Sequence, residues 1–438
     1  MITSSWGILA PEPVASERRT RTLGLGAAVR MFNDLAVPGM GGVWFGKQLF
    51  LATLGVAVCE EARRHNVRFD NIKVANALEA LACWMQHQAN DGLRDDRLRG
   101  IQKLGSVDGK PVFSQFAQPG FYVSQPMRMA TVQAIKALGL VDSLGERFNS
   151  YSCTAAGLAF IRAVIAKNRP HRRDAIEVLG AWVCGANINV DTAAMHAILS
   201  PTRPLPLDAA DSLRELIVRG DGSGAARRRA ALDWIGSLVG KSRETGQGQP
   251  LSLSAEHWHD VQAGALFFSL QADAYRVLDA VEVVLTACQG QPLGLELALL
   301  PKVCAAVEVL RASANRYLKH GFLDPDGTGA NAFAQACVSA TDGKIVEELV
   351  GRDERVLRLR DGMIVPGQAF DSARELAGAA PDDPNAPAAP EAFGNFPLPE
   401  GVSYRLRNLY LLNLDLTGQL NSWLDKTDPP PRTPDGQA

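Results

Sequence analysis

The chain of 438 residues has few cysteines and none in a pair: Cys59, Cys83, Cys153, Cys184, Cys288, Cys304 and Cys337 are never closer than sixteen apart. That spacing excludes a local CxxC zinc or redox motif and argues against a disulfide framework. Long apolar runs are also missing. The longest, Leu49 to Cys59, lies between Lys47 and Glu60; it is too short to span a bilayer and reads as a buried core helix. The opening residues Met1 to Trp6 lack the basic and apolar regions of a secretory signal. Strand patterns are scarce, and no repeat of solenoid type is present. With a formal net charge of only -2, no global polyelectrolyte attraction drives binding. These absences lead us to expect a cytoplasmic protein without membrane contact, cofactor or metal.

What is present is helical periodicity on an ordinary globular composition, 46% hydrophobic and 21% charged, which suffices to bury a large core. The length exceeds what one core usually serves, so more than one domain is expected. Val277, Val281, Val284, Leu285 and Cys288 fall on one helical face, as do Val303, Val307, Leu310, Ala314 and Tyr317. Pro301 suits the first turn of that second helix, and Gly321 its stop. Asp174 and Thr154 stand where N-caps belong. The fold class expected is mainly α, multi-domain, with one small C-terminal β-hairpin: Val356 to Arg360 alternates, Asp361-Gly362 turns, and Met363 to Val365 returns. The divisions expected are a mobile arm over 1–20, a helical domain over 21–170, and a second over 171–376 that ends in the hairpin. An Ala/Pro-rich linker over 377–399, a docking helix over 400–425 and a disordered tail over 426–438 follow.

Residues 125–166 hold the most ordered pattern. A helix, Arg128 to Leu138, ends at Gly139; Leu140-Val141-Asp142 starts a strand; Arg147 to Cys153 returns as a second; Thr154-Ala155-Ala156-Gly157 opens another helix. This order resembles the second half of the winged-helix domains of bacterial regulators, over a tenth of the chain. The resemblance implies a two-stranded wing and a helix whose exposed Arg128, Thr131, Gln133 and Lys136 contact bases and phosphates. The stretch before it, Phe113 to Pro126, holds Pro119, Gly120 and Pro126 and departs from the brace helix of a DNA reader.

Charge is unevenly placed: residues 1–250 carry 30 Lys+Arg against 22 Asp+Glu, leaving 15 and 25 for the remainder. Such a split can steer the front half to an acidic partner, and two solvated surfaces would give it equally. The basic candidates beyond the helix are Arg147 in the wing and Lys167, Arg169, Arg172 and Arg173, beside His171. Arg18, Arg19 and Arg21 sit near the N-terminus. Arg227, Arg228 and Arg229 open a helix, where cations oppose the dipole; phosphate contact is the functional reading and a solvated face the plain one.

Catalytic signatures fail on inspection, and no catalytic residue is assigned. Gly41 to Gln48 matches a P-loop until its last position, where Ser or Thr should hold magnesium. Asp324-Pro325-Asp326-Gly327-Thr328 is similar to the nucleophile motif of haloacid-dehalogenase-type phosphatases but follows a helix end, not a strand. His257 and His259 point to different helix faces and cannot share a metal as an i, i+4 pair would. The function expected is a non-catalytic accessory subunit of a bacterial multi-protein system acting on or around nucleic acid, such as a mobile-element or phage-defence system. Protein partners and DNA are its expected contacts. Alternatives are a helical protein-interaction scaffold and a metal-dependent phosphotransfer enzyme at Asp324 and Asp326.

Overall fold

The apolar run from Leu49 to Cys59 becomes the middle of a helix, Gly46–Arg64, in the computed structural model, which describes residues 21–89, 95–105, 107, 109–145, 147–241, 248–325, 327–370 and 396–427. The arm 1–20, most of the linker, the tail beyond 427, Glu146 and Asp326 lie outside the described residues. This central helix is buried without interruption from Gly46 to Cys59 because helices pack on it from several sides: Asn71–Ala89, Arg128–Ala137, Ala155–Ile165 and Ala175–Val183. Gly55 permits the tightest of these approaches. A Cβ there would stand 2.5 Å from the Cβ of Ala75, so any larger residue would force the two helices apart.

The chain is mainly helical and divides into two compact units. The larger comprises residues 30–265 and 384–438, the smaller 1–29 and 266–383. The boundaries fall inside the helices Gly26–Ala36 and Ala255–Ala287. Helices on both sides of residue 170 pack on the central helix and share one core.

In the larger unit, the local signals set the helix ends. Thr154 accepts from Gly157 N at 3.0 Å, and Asp174 from Ile176 N at 2.8 Å. β1 (Val141–Asp142) pairs antiparallel with β2 (Ser152–Cys153). The returning strand is shorter than the sequence suggested, because Phe148–Ser150 forms a 3-10 turn instead. Asn71 holds that turn, donating to the carbonyls of Phe148 (3.0 Å) and Tyr151 (2.8 Å). The C-terminal segment is two helices, Tyr404–Leu416 and Leu420–Thr427, not one. Gly418 takes a left-handed φ of 70°. The bonds Gly418 N to Asp415 O and Gln419 N to Leu414 O close a Schellman motif there. The first of these helices is not amphipathic: Arg405, Asn408, Asn413 and Asp415 are buried along with its leucines.

In the smaller unit, Pro301 opens the helix Pro301–His320 and Gly321 closes it at φ 75°. β4 (Leu357–Arg360) and β5 (Met363–Pro366) form the hairpin, with Asp361 at φ 52° and Gly362 at φ 76° as its two turn residues. A third strand, β3 (Leu293–Gly294), pairs with β5; two residues leave no period to read. Arg21, expected beside a mobile arm, is buried and pairs with Asp279 and Glu282, with Asp353 at 3.7 Å.

Candidate nucleic-acid interface

The helix Arg128–Ala137 is turned inward. Glu79, fully enclosed on the Asn71–Ala89 helix, accepts from the backbone N–H of Met127 (2.7 Å) and Arg128 (3.0 Å), so a carboxylate caps the end where a reading helix would meet bases. Burial raises the Glu79 carboxyl above its ordinary range, against the lowering effect of those two donors. The Arg128 guanidinium lies 5.0 Å from the centre of the Phe148 ring and donates to Asn76 at 2.8 Å; burial lowers its pKa, with Glu79 opposing. Thr131, expected to be exposed, has 0% exposure, its hydroxyl donating to the Arg128 carbonyl. Gln133 accepts from buried Arg405 at 3.1 Å, and Lys136 donates to the Gly145 carbonyl at 3.2 Å.

The other residues singled out from the sequence are exposed: Arg147, Lys167, Arg169, Arg172 and Arg173. Arg173 faces Glu177 at 3.6 Å. Consecutive His171 and Arg172 hold positive φ, 52° and 61°, and His171 donates to the Asn189 carbonyl at 2.7 Å. Arg147 and the basic loop therefore reach solvent, whereas the polar side chains of the Arg128–Ala137 helix are wholly or partly buried.

The arginine triplet has a structural task. Arg227 donates to the Leu35 carbonyl at 2.9 Å and pairs with Asp260 at 2.7 Å; Arg228, buried, donates to Ile217 O at 2.8 Å; Arg229 donates to Val218 O at 2.8 Å. These carbonyls end the helices Gly26–Ala36 and Leu207–Val218, so the cations cap two helix C-termini, where the dipole favours them. His257 is 2% exposed and donates to Ala36 O at 2.9 Å. Burial lowers its pKa, with the Ala36 bond opposing.

In the P-loop-like stretch, side chains take the backbone N–H groups: Gln48 accepts from Trp44 N (2.8 Å) and Phe45 N (3.3 Å), and Asp415 from Gly46 N at 2.8 Å. Lys47 is buried against the Ile198 carbonyl, and burial holds it down to about 7; Asp415 opposes this and Arg203 adds to it. In the smaller unit, Asp324 accepts from Thr328 and from Asn331 N (2.9 Å), fastening the start of the helix Ala330–Ser339.

One basic region that the sequence reading passed over forms a concave site. The central helix ends in a Schellman motif: Asn66, at φ 60°, donates to Arg63 O, and Val67 donates to Ala62 O. The chain then turns through Arg68, Phe69 and Asp70 into the Asn71–Ala89 helix. This turn encloses an open cleft of about 870 Å³ lined by Arg63, Asn66, Arg68, Phe69, Asp70 and Lys73. Arg63 is held in place, donating to Asn71 Oδ1 at 2.9 Å and to Phe69 O at 3.3 Å. Arg68, Lys73 and Asp70 reach solvent; Phe69 is half-buried, edge-on to Phe113, with Lys73 Nζ 5.5 Å from its ring centre. Neighbouring Arg64 and His65 face Glu61 instead, at 2.7 and 3.5 Å.

The cleft and the wing are fixed to each other. Asn71 grips the 3-10 turn Phe148–Ser150 from one side, and Asn149 Oδ1 accepts from Ile72 N at 2.9 Å from the other. Exposed Arg147 immediately precedes that turn. The signal available in the sequence was the run Arg63-Arg64-His65-Asn66-Val67-Arg68-Phe69, four basic or titratable residues around a helix-stopping Asn, with an aromatic at its end.

The chain is mainly helical and carries a basic cleft, lined by one aromatic residue, beside the short β1–β2 pair. No family model, curated protein or solved structure matches it. Among the described residues, no helix is long and apolar enough to cross a membrane.

Proposed function

We propose that this protein is a non-catalytic accessory subunit that faces nucleic acid through the cleft between the Gly46–Arg64 and Asn71–Ala89 helices and through the adjoining wing. The observation that carries this reading is the cleft lining: three cations, Arg63, Arg68 and Lys73, against one carboxylate, Asp70. Such a surplus on a concave surface concentrates field and attracts a polyanion. Arg147 extends the positive surface along the wing. The acidic bias of the C-terminal half, with exposed Leu297, Leu300 and Leu323, favours protein contact there, in keeping with a subunit of a larger assembly. A mobile-element or phage-defence system is the kind of setting in which such a subunit would serve.

The test is fluorescence anisotropy of the full chain with labelled DNA and RNA across a salt series. We expect binding that weakens steeply with salt and that drops in the double variant Arg68→Ala, Lys73→Ala. No binding at low salt would overturn direct contact by this chain.

A further inference from the structure

We infer that the cleft takes a single unpaired nucleotide of a strand, its phosphate on Arg68 and Lys73 and its base against Phe69, with Asp70 and Asn66 at the base edge. This rests on the nucleic-acid reading above and narrows it to single-stranded ligands.

Shape is the first reason. Duplexes are read by elements that protrude into a groove, and here the helix that would protrude, Arg128–Ala137, has its N-terminus covered by Glu79 and Thr131 enclosed. The basic surface is instead a recess of about 870 Å³, within the range of sites that enclose small ligands. A recess of that size admits an unstacked nucleotide, whereas a duplex would meet only its rim cations.

Lining chemistry is the second. A seat for phosphate alone gains nothing from a carboxylate, which repels the ligand. Asp70 stands at the start of the Asn71–Ala89 helix, where a carboxylate suits the dipole, and from the cleft wall it can also accept from N–H donors such as the exocyclic amines of cytosine, adenine and guanine. Asn66 offers both a donor and an acceptor, and its left-handed backbone, fixed by the Schellman bonds, holds it at the rim. Phe69 supplies the flat apolar surface that unpaired bases use for stacking. Its ring is braced edge-on by Phe113 at 5.1 Å. The ammonium over it belongs to Lys73, a flexible side chain that can swing from the ring to a phosphate.

The arrangement orders the ligand. Arg63 is already fixed by Asn71 and Phe69 O, so it contributes a standing positive charge at the wall. Arg68 and Lys73 are the mobile cations that close on the backbone. Asp70 discriminates against thymine and uracil, which present no exocyclic amine at that edge.

The experiment compares the full chain's affinity for labelled single-stranded DNA, single-stranded RNA and the matching DNA duplex, using homopolymer strands to read base preference. Single strands should bind roughly tenfold or more tightly than the duplex, with Phe69→Leu lowering single-strand affinity about tenfold and leaving the duplex unchanged. Asp70→Asn, at an exposed position, should remove the preference for amine-bearing bases over thymine or uracil. Preference for DNA or RNA identifies the natural strand. Equal affinity for duplex and single strand, or indifference to both variants, would overturn the single-nucleotide cleft while leaving nucleic-acid contact standing. Absence of binding to every probe would overturn both.

Discussion

Two basic surfaces of the larger unit invite comparison. The helix Arg128–Ala137 carries Arg128 and Lys136 and looks, by its sequence, like a reading helix; the turn Arg63 to Lys73 carries four cations, Arg63, Arg64, Arg68 and Lys73, and looks like a loop. In the structure the helix's polar groups are engaged internally and the turn's cations are exposed. Every polar group on the helix that the sequence offered to a ligand has an internal partner: Phe148 and Asn76 for Arg128, Arg405 for Gln133, the Gly145 carbonyl for Lys136. The turn leaves Arg68 and Lys73 to solvent around a recess. The lesson is that a cation's neighbours decide its role, and those neighbours come from distant parts of the chain. Arg227, Arg228 and Arg229 make the same point: beside two helix C-termini they are caps.

The comparison breaks most sharply at Glu79. Replacing it with Ala strips the acceptor from two enclosed backbone N–H groups, so Glu79→Ala should cost about 3 kcal/mol of stability in urea unfolding. A variant that unfolds like the wild type would mean that the helix end is open and available after all. Lys47 tests the inward class by pH. Its pKa falls from 10.5 when unfolded to about 7 when buried. The unfolded chain therefore binds more protons between those values, and stability should rise as pH climbs through that window. Below it, the full cost of burying the ammonium is present. Lys47→Met should flatten that rise, measured as the urea midpoint against pH; an unchanged slope would place the lysine in solvent.

Legibility followed the range of the interaction. Caps and stops at Thr154, Asp174, Pro301 and Gly321, and the Asp361-Gly362 turn, act within a few residues and were readable from the sequence. So was the buried run within the central helix. The break at Gly418 was not, because the leucine spacing continues across it and only the left-handed glycine interrupts the helix. Nor was the grouping of residues 21–29 with a unit otherwise built from 266 onward, to which Arg21 is tied through Asp279 and Glu282. The cleft was half legible. Its cations are contiguous in sequence, but the grip of Asn71 on the carbonyls of Phe148 and Tyr151, which fixes it to the wing, spans the distance between two helices and a turn.

Arg128→Ala should cost about 1–2 kcal/mol, through the lost bond to Asn76 and the lost ring contact. The slope of log affinity against log salt should stay where it was. A shallower slope in this variant would return the helix to the interface.

The smallest effect on stability is expected where the effect on binding is greatest. Arg68 and Lys73 are exposed, and replacing both with Ala should move the unfolding free energy by no more than about 0.5 kcal/mol. On a single strand, each phosphate neutralised contributes about 0.7 to the salt slope, so losing the one phosphate seat that Arg68 and Lys73 share should flatten that slope by roughly 0.7. Set beside Arg128→Ala, the pair separates two kinds of cation by two independent measurements. Removing an inward cation lowers stability and leaves the slope; removing an outward one leaves stability and lowers the slope. Were both variants to move both quantities together, the distinction between the capped helix and the open turn would fail, and the recess would be one face of a single continuous basic surface.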